Sequence, residues 1–368
     1  MSSNPEEPTL QPSRYVGFDT ITSQIENRLL KKGFTLNVMV VGRSGLGKST
    51  LVNTLFSSKV AESLGRLSAE EPIEKTVDIK VKSHVLVENN VRLNVNVIDT
   101  PGFGDLINNV KCWEPLVKYI REQNSNYLRK ELSALRPKSI PDTRVHCILY
   151  FIPPNTGAKL RPLDLQALKK LTEVANVVPV IAKSDSLTVS ERASLKRLLQ
   201  AEFVKHKLNS YPYDSDDLFE DEKQLNEDIK SLIPFAVVGA TRELEVNGEI
   251  VRCRKSKWGL INIEDVSQCE FVFLRDFLTR THLQDLIETT SLTHYEGFRS
   301  KQLILLKENA NTSKVAVNQS GGSGSAPKLQ SNPTHTFQPH PLQQTHSMVG
   351  AVSQSTMTTL ANGVAAQY

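Results

Sequence analysis

Gly42, Gly47, Lys48 and Ser49 stand in the spacing G-x-x-x-x-G-K-S, a pattern whose chemistry is the gripping of phosphate. The glycines let the backbone curl so that successive N–H groups converge on one anion, and the helix expected from Lys48 onward adds the partial positive charge of its N-terminus. Gly42, Arg43, Ser44, Gly45, Leu46, Gly47, Lys48, Ser49 and Thr50 are therefore expected to line a nucleotide. Lys48 would reach the β- and γ-phosphates, and the Ser49 hydroxyl would ligate Mg²⁺. A second motif, Asp99-Thr100-Pro101-Gly102, begins 57 residues after Gly42. Asp99 is placed to hold the metal through water, and the Gly102 N–H can approach the γ-phosphate because no side chain intrudes. The third motif is Ala182-Lys183-Ser184-Asp185. Its Asp185 carboxylate can accept two hydrogen bonds from the N1–H and exocyclic amine of guanine, and the Lys183 stem can lie along the base plane. Adenine offers neither donor in that arrangement and would leave a buried carboxylate unpaired. The three motifs together predict GTP or GDP with Mg²⁺.

Two further positions bear on hydrolysis. Thr76 opens the strand that follows the phosphate loop and is the natural catalytic candidate, a threonine that ligates the metal beside Ser49 and Asp99 and senses the γ-phosphate. Phe103 occupies the place where a water-orienting glutamine often stands. Phenylalanine cannot orient water, so hydrolysis is expected to be slow or externally assisted.

These residues need elements to position them. The apolar run 38–41 before the phosphate loop reads as a strand buried on both faces, and Leu51 and Leu55 lie four apart on the helix after it. Val77, Ile79, Val81, Val85 and Val87 share one parity, 88–90 turn the chain, and Val91, Leu93, Val95 and Val97 repeat the alternation, which predicts an antiparallel hairpin running into Asp99. Residues 145–152 and 177–181 read as buried strands with a helix over 164–174 between them, and Thr188 with Glu191 forms a capping box opening a helix over 189–207. Another strand is expected over 233–239, a hairpin over 244–251, and a long final helix to about residue 308. Strands alternating with helices predict an α/β fold with a mostly parallel central sheet flanked by helices, its ligand at the C-terminal strand ends.

Composition bounds the rest. The chain has 368 residues, 23% of them charged, and a formal net charge of +4, too mild to argue for nucleic acid. No apolar run is long enough to span a membrane. The N-terminus is polar and acidic, unlike a signal peptide, and lacks the glycine needed for myristoylation. Cys112, Cys147, Cys253 and Cys269 are scattered and read as reduced thiols, with His146 and Cys147 as core residues rather than a metal site. Residues 1–13 are proline-rich and expected to be disordered. Residues 311–368 contain no Asp or Glu, so a disordered tail is expected from 309 to 368. A short amphipathic helix is expected over 21–32 with Ile21, Ile25 and Leu29 on one face. Its Arg28, Lys31 and Lys32 serve either as a complement to the helix dipole or as a contact with anionic lipid. Residues 214–228 hold eight acidic residues, read as a solvated helix face.

Several stretches together resemble the septin family. They are 42–50, 99–105, Arg144-Val145-His146-Cys147 with Tyr150-Phe151-Ile152, 182–185, Trp258-Gly259, His282-Leu283-Gln284-Asp285-Leu286 and His294-Tyr295-Glu296. The likeness covers about residues 14–308 and is greatest to fungal septins that end without a coiled coil. It implies a P-loop GTPase fold with an additional septin-type β-hairpin region and a C-terminal helix. It also implies a cytoskeletal subunit that joins other septins into hetero-oligomeric rods and filaments, at the cell cortex of the division site or septum. By the same resemblance Gly239 and Arg254 would contact the guanine and ribose, Trp258 would sit in a contact across the nucleotide with Glu191 nearby, and Arg28–Lys32 would touch lipid. Ala158 stands where septins usually carry a histidine that reaches the partner's nucleotide. A soluble on/off switch is the competing reading. A nucleic-acid-associated GTPase would need an RNA-binding module, which residues 186–310 do not show, so no nucleic-acid partner is expected.

Overall fold

The computed structural model describes residues 14–58, 78–103, 109, 111–135, 138–157, 159–214, 220–240, 242–246, 248–256 and 259–319. Thr76, Gly104, Asp105, Ala158, Trp258 and the expected disordered segments 1–13 and 320–368 lie outside the described residues. Contacts divide the chain into residues 1–311 and 312–368.

The first unit is built on a six-stranded sheet. Its strands are β1 (Phe34–Gly42), β2 (Lys80–Glu88), β3 (Val91–Asp99), β4 (Cys147–Ile152), β5 (Val177–Ile181) and β6 (Phe235–Ala236), in the order β2-β3-β1-β4-β5-β6. All neighbours are parallel except β2 and β3, which form the expected hairpin. The continuous apolar runs of β1, β4 and β5 are buried throughout their central stretches because helices cover both faces. One face packs Leu36, Val38, Val40, Leu149 and Val180 against helix α2 (Lys48–Leu55) and the short helix α7 (Phe271–Asp276). The other packs Met39, Val41, Ile148, Tyr150 and Ile181 against α3 (Glu114–Leu132), α4 (Pro162–Thr172) and α5 (Val189–Lys205).

The odd-numbered valines of β2 are exposed at 81, 85 and 87. Register explains this: Val85 and Val87 stand opposite Asn94 and Arg92, whereas His84 and Leu86 stand opposite Val95 and Leu93 on the core side. β2 is the edge strand, and β-branched residues there satisfy strand preference without burial.

A second, antiparallel sheet joins β7 (Arg242–Val246), β8 (Glu249–Ser256) and β9 (Gly259–Asn262). Sequence reading found its first hairpin and missed β9. The strand expected over 233–239 shrinks to the two residues of β6. The acidic stretch forms α6 (Glu220–Leu232), whose single buried residue is Ile229.

The expected N-terminal helix is α1 (Thr20–Lys32), which buries none of its residues; Ile21, Ile25 and Leu29 are exposed. At the other end of the chain come α8 (Leu283–Thr289) and α9 (Glu296–Gln319). The final helix thus runs past residue 308, and the segment 309–319, expected as part of a disordered tail, is helical. Nothing in 309–319 breaks a helix, since it holds no proline or glycine.

Arg144 fastens the region around α9 to the sheet. Its guanidinium lies 4.1 Å from the Tyr127 ring centroid and 4.7 Å from that of Tyr295. It donates from Nε and a terminal nitrogen to both oxygens of Asp142, at 2.9 and 2.7 Å. Burial would raise the Asp142 carboxyl, but hydrogen bonds from His146 and Arg144, with their charges, outweigh it and hold the group well below the carboxylate range. His146 and Cys147 are core residues as expected, and all four cysteines are buried free thiols.

Candidate nucleotide site

The chain reverses from β1 into α2 through a loop whose glycines are required by conformation. Gly45 has φ 75° and Gly47, which caps α2, has φ 83°. At Gly42 the need is also spatial, because a Cβ would meet the Phe151 Cβ and carbonyl oxygen at 2.8 Å. Lys48 folds over this loop, its Nζ donating to the carbonyls of Gly42 and Arg43, both at 3.2 Å. Ser49 and Thr50 occupy the first turn of α2, toward which the helix dipole directs its positive end.

Asp99 ends β3 in register with Val40, which places the carboxylate beside the start of the phosphate loop. The next residue, Thr100, is fully buried and its hydroxyl donates to the Val40 carbonyl at 2.7 Å. Gly102 follows, and Phe103 is stitched to the phosphate loop: its N–H donates to Gly42 O at 3.2 Å and it forms a parallel bridge with Arg43. The Phe103 ring is buried against Tyr150, centroids 6.1 Å apart. It faces inward, away from any position where it could meet water. Below it lies a pair that sequence reading missed: the Tyr150 hydroxyl donates to Asp164 at 2.8 Å, and burial raises the Asp164 carboxyl. An aspartate two residues after a proline on an amphipathic helix gave no signal of this.

The base side forms at the ends of β5 and β6. Lys183 adopts a left-handed conformation, φ 51°, and Ser184–Ser186 form one 3₁₀ turn. The turn is pinned by Ser184 N–H to Val237 O at 3.2 Å, and Val237 N–H donates back to Ile181 O at 3.0 Å. Asp185 is nearly buried; its Oδ2 lies 3.2 Å from Arg254 Nε, and Oδ1 finds no hydrogen-bond partner among the described residues. Gly239 closes the gap to α2, where a Cβ would meet Thr50 Cγ2 at 3.1 Å and Leu51 N at 3.2 Å. Thr54 ties the same strand end to α2, accepting the Ala240 N–H at 3.1 Å.

The strand ends of β1, β3, β5 and β6 therefore gather the phosphate loop, Asp99, Gly102, Lys183, Asp185 and Gly239 in one site. Glu191 closes the expected capping box, its Oε2 accepting the Thr188 N–H at 2.8 Å, and the hydrogen bonds from Thr188 lower its pKa. Arg252 and Arg254 of β8 make contacts within the chain. Arg252 donates to the Thr54 carbonyl at 3.0 Å and pairs with Glu264, and Arg254 reaches Asp185.

A phosphate loop, the Asp99 motif and the Asp185 loop at one end of a doubly covered, mostly parallel sheet define a P-loop GTPase fold. The septin family model matches residues 32–312. The chain is 75% identical over 310 residues, 83% of its length and 87% of the relative's, to cell division control protein 10 of Candida albicans. It is 61% identical over 309 residues to the protein of the same name from Saccharomyces cerevisiae, covering 84% of this chain and 96% of that one. The chain belongs to the septin family. A crystal structure of a septin GTPase domain from Chlamydomonas reinhardtii shares the fold, with a TM-score of 0.54 at 22% identity over 72% of this chain and 98% of that one.

Proposed function

We infer that this septin binds GTP and GDP with Mg²⁺, hydrolyses GTP slowly, and works chiefly as a filament subunit that assembles with other septins during cell division. The observation that carries the nucleotide reading is the meeting of the phosphate loop with the Asp185 loop through Gly239, which contacts Thr50 and Leu51 of α2. The oxygen donors Ser49 and Asp99, with Thr76, suit a hard cation such as Mg²⁺, which would neutralise phosphate charge there. The buried Phe103 ring supports slow turnover. Two close relatives named for cell division control support the cellular role and a cytoskeletal location at the division site.

Assembly is supported by α1, an apolar stripe with nothing covering it among the described residues. Arg28 and Lys32 flank that stripe on the helix, a composition that suits an anionic membrane surface as well as a protein partner. Trp258 is assigned to a contact across the nucleotide. A soluble switch would be monomeric and exchange nucleotide quickly. The deciding experiment measures the nucleotide content and oligomeric mass of the purified chain, alone and with co-expressed septins. Bound guanine nucleotide with a mass that grows on co-expression supports the subunit reading; an empty monomer in both preparations defeats it.

A further inference from the structure

We propose that Glu270, held by Lys196, is a positioning residue for base recognition: it sets the strand that places Asp185. The proposal rests on the guanine reading of the site. β6 is only two residues long and forms the outer edge of the sheet, so little of its own ladder fixes it. Residues 269 and 270 complete that edge. The Glu270 N–H donates to the Ala236 carbonyl at 3.0 Å, and its Oε2 accepts the Ala236 N–H at 2.7 Å. The Val238 N–H donates to Cys269 Sγ at 3.2 Å. Between these two points lies Val237, whose carbonyl holds Ser184 and so the turn carrying Asp185.

Glu270 is itself fixed from α5. Lys196 Nζ lies 2.8 Å from both of its carboxylate oxygens, and the two side chains are only 12% and 13% exposed. One turn earlier, Arg192 donates to the carbonyls of Gln268 and Ser267 at 2.8 and 3.1 Å. Leu195, Leu199 and Phe203 bury the adjoining stripe of α5 in the core, so the helix is a rigid support for both cations. The route from Lys196 to Asp185 is thus a series of short polar contacts, none of which touches the base. A carboxylate that must accept two donors at once tolerates little displacement, so loss of this support is read in base discrimination before phosphate binding.

The test uses the full chain, stripped of nucleotide, and measures affinity for GDP, IDP and ADP by competition. Hypoxanthine lacks the exocyclic amine, so the wild type should prefer GDP over IDP by roughly ten- to a hundredfold, the value of one hydrogen bond to a charged group. Glu270→Ala should shrink that ratio about threefold or more, while Glu270→Gln, which keeps an acceptor for Ala236, should retain most of it. An unchanged ratio in folded Glu270→Ala overturns the proposal, as does a Gln variant that falls as far as the Ala variant. Should Glu270→Ala fail to fold, Lys196→Met supplies the test: a reduced GDP/IDP ratio supports the proposal and a wild-type ratio overturns it. A wild type that binds GDP and ADP alike instead defeats the guanine reading itself.

Discussion

Arg254 Nε lies 3.2 Å from Asp185 Oδ2, which joins the three-stranded sheet of β7–β9 to the Asp185 loop. The arginine comes from β8, a strand separated from Asp185 by almost seventy positions, and the adjoining Arg252 grips the end of α2 through the Thr54 carbonyl. One strand therefore touches both the Asp185 loop and the C-terminal end of α2.

Asp185→Asn should lower GTP affinity by about 1.5–3 kcal/mol and raise affinity for xanthine nucleotide, because the substitution turns one acceptor into a donor. Isothermal titration with GTP and XTP measures both. A variant that keeps its preference for GTP removes Asp185 from base recognition.

Thr76→Ala should cut an already slow hydrolysis further and leave GDP binding nearly intact. Wild-type turnover should lie far below the roughly 10 s⁻¹ median of enzymes. Single-turnover phosphate release on both proteins settles it; undiminished release from the variant would refute the role.

Arg144→Met should destabilise the domain by about 2 kcal/mol or more, since it takes the paired cation from the partly buried Asp142 carboxylate and leaves Tyr127 and Tyr295 without the cation between them. Urea unfolding followed by circular dichroism gives the value. A loss under 1 kcal/mol would mean that the aromatic sandwich holds without its charge.

His294 gives the pH dependence. Burial lowers its pKa from 6.5 to about 4, with Nε2 lying 3.0 Å from Asn176 Oδ1. Between those values the unfolded chain binds a proton that the folded chain refuses. Its contribution is therefore complete above about pH 6.5 and declines as pH falls toward 4, by roughly 3 kcal/mol at most. His294→Gln should flatten thermal stability across that window. An unaltered slope would assign the acid sensitivity to other groups.

Much of the site was legible because its chemistry is local in sequence. The G-x-x-x-x-G-K-S spacing dictates a loop whose glycines need left-handed φ, and the apolar runs before the phosphate loop and before Ala182 read as strands covered on both faces. What escaped was set by distant partners. Arg144 is one charged residue before a strand, and nothing nearby announces Tyr127 and Tyr295 as its two faces. Nor does anything near Arg252 and Arg254 announce Glu264 and Asp185 as their partners. The valines of β2 show the same limit, since period two identifies a strand but not which side the helices cover.

The outer side of β2 has a consequence for anyone handling the chain. Nine residues of edge strand, paired with no further strand among the described residues, present Val81, Val85 and Val87 to solvent. Such an edge is a template for another strand, with the charges of Lys80 and Glu88 at its ends as the main deterrent to stacking. Concentrating the lone protein therefore invites sheet-to-sheet adhesion that would mimic native polymerisation in a scattering experiment. A lysine at Val85 separates the two: it should suppress the adhesion and leave filament growth alone.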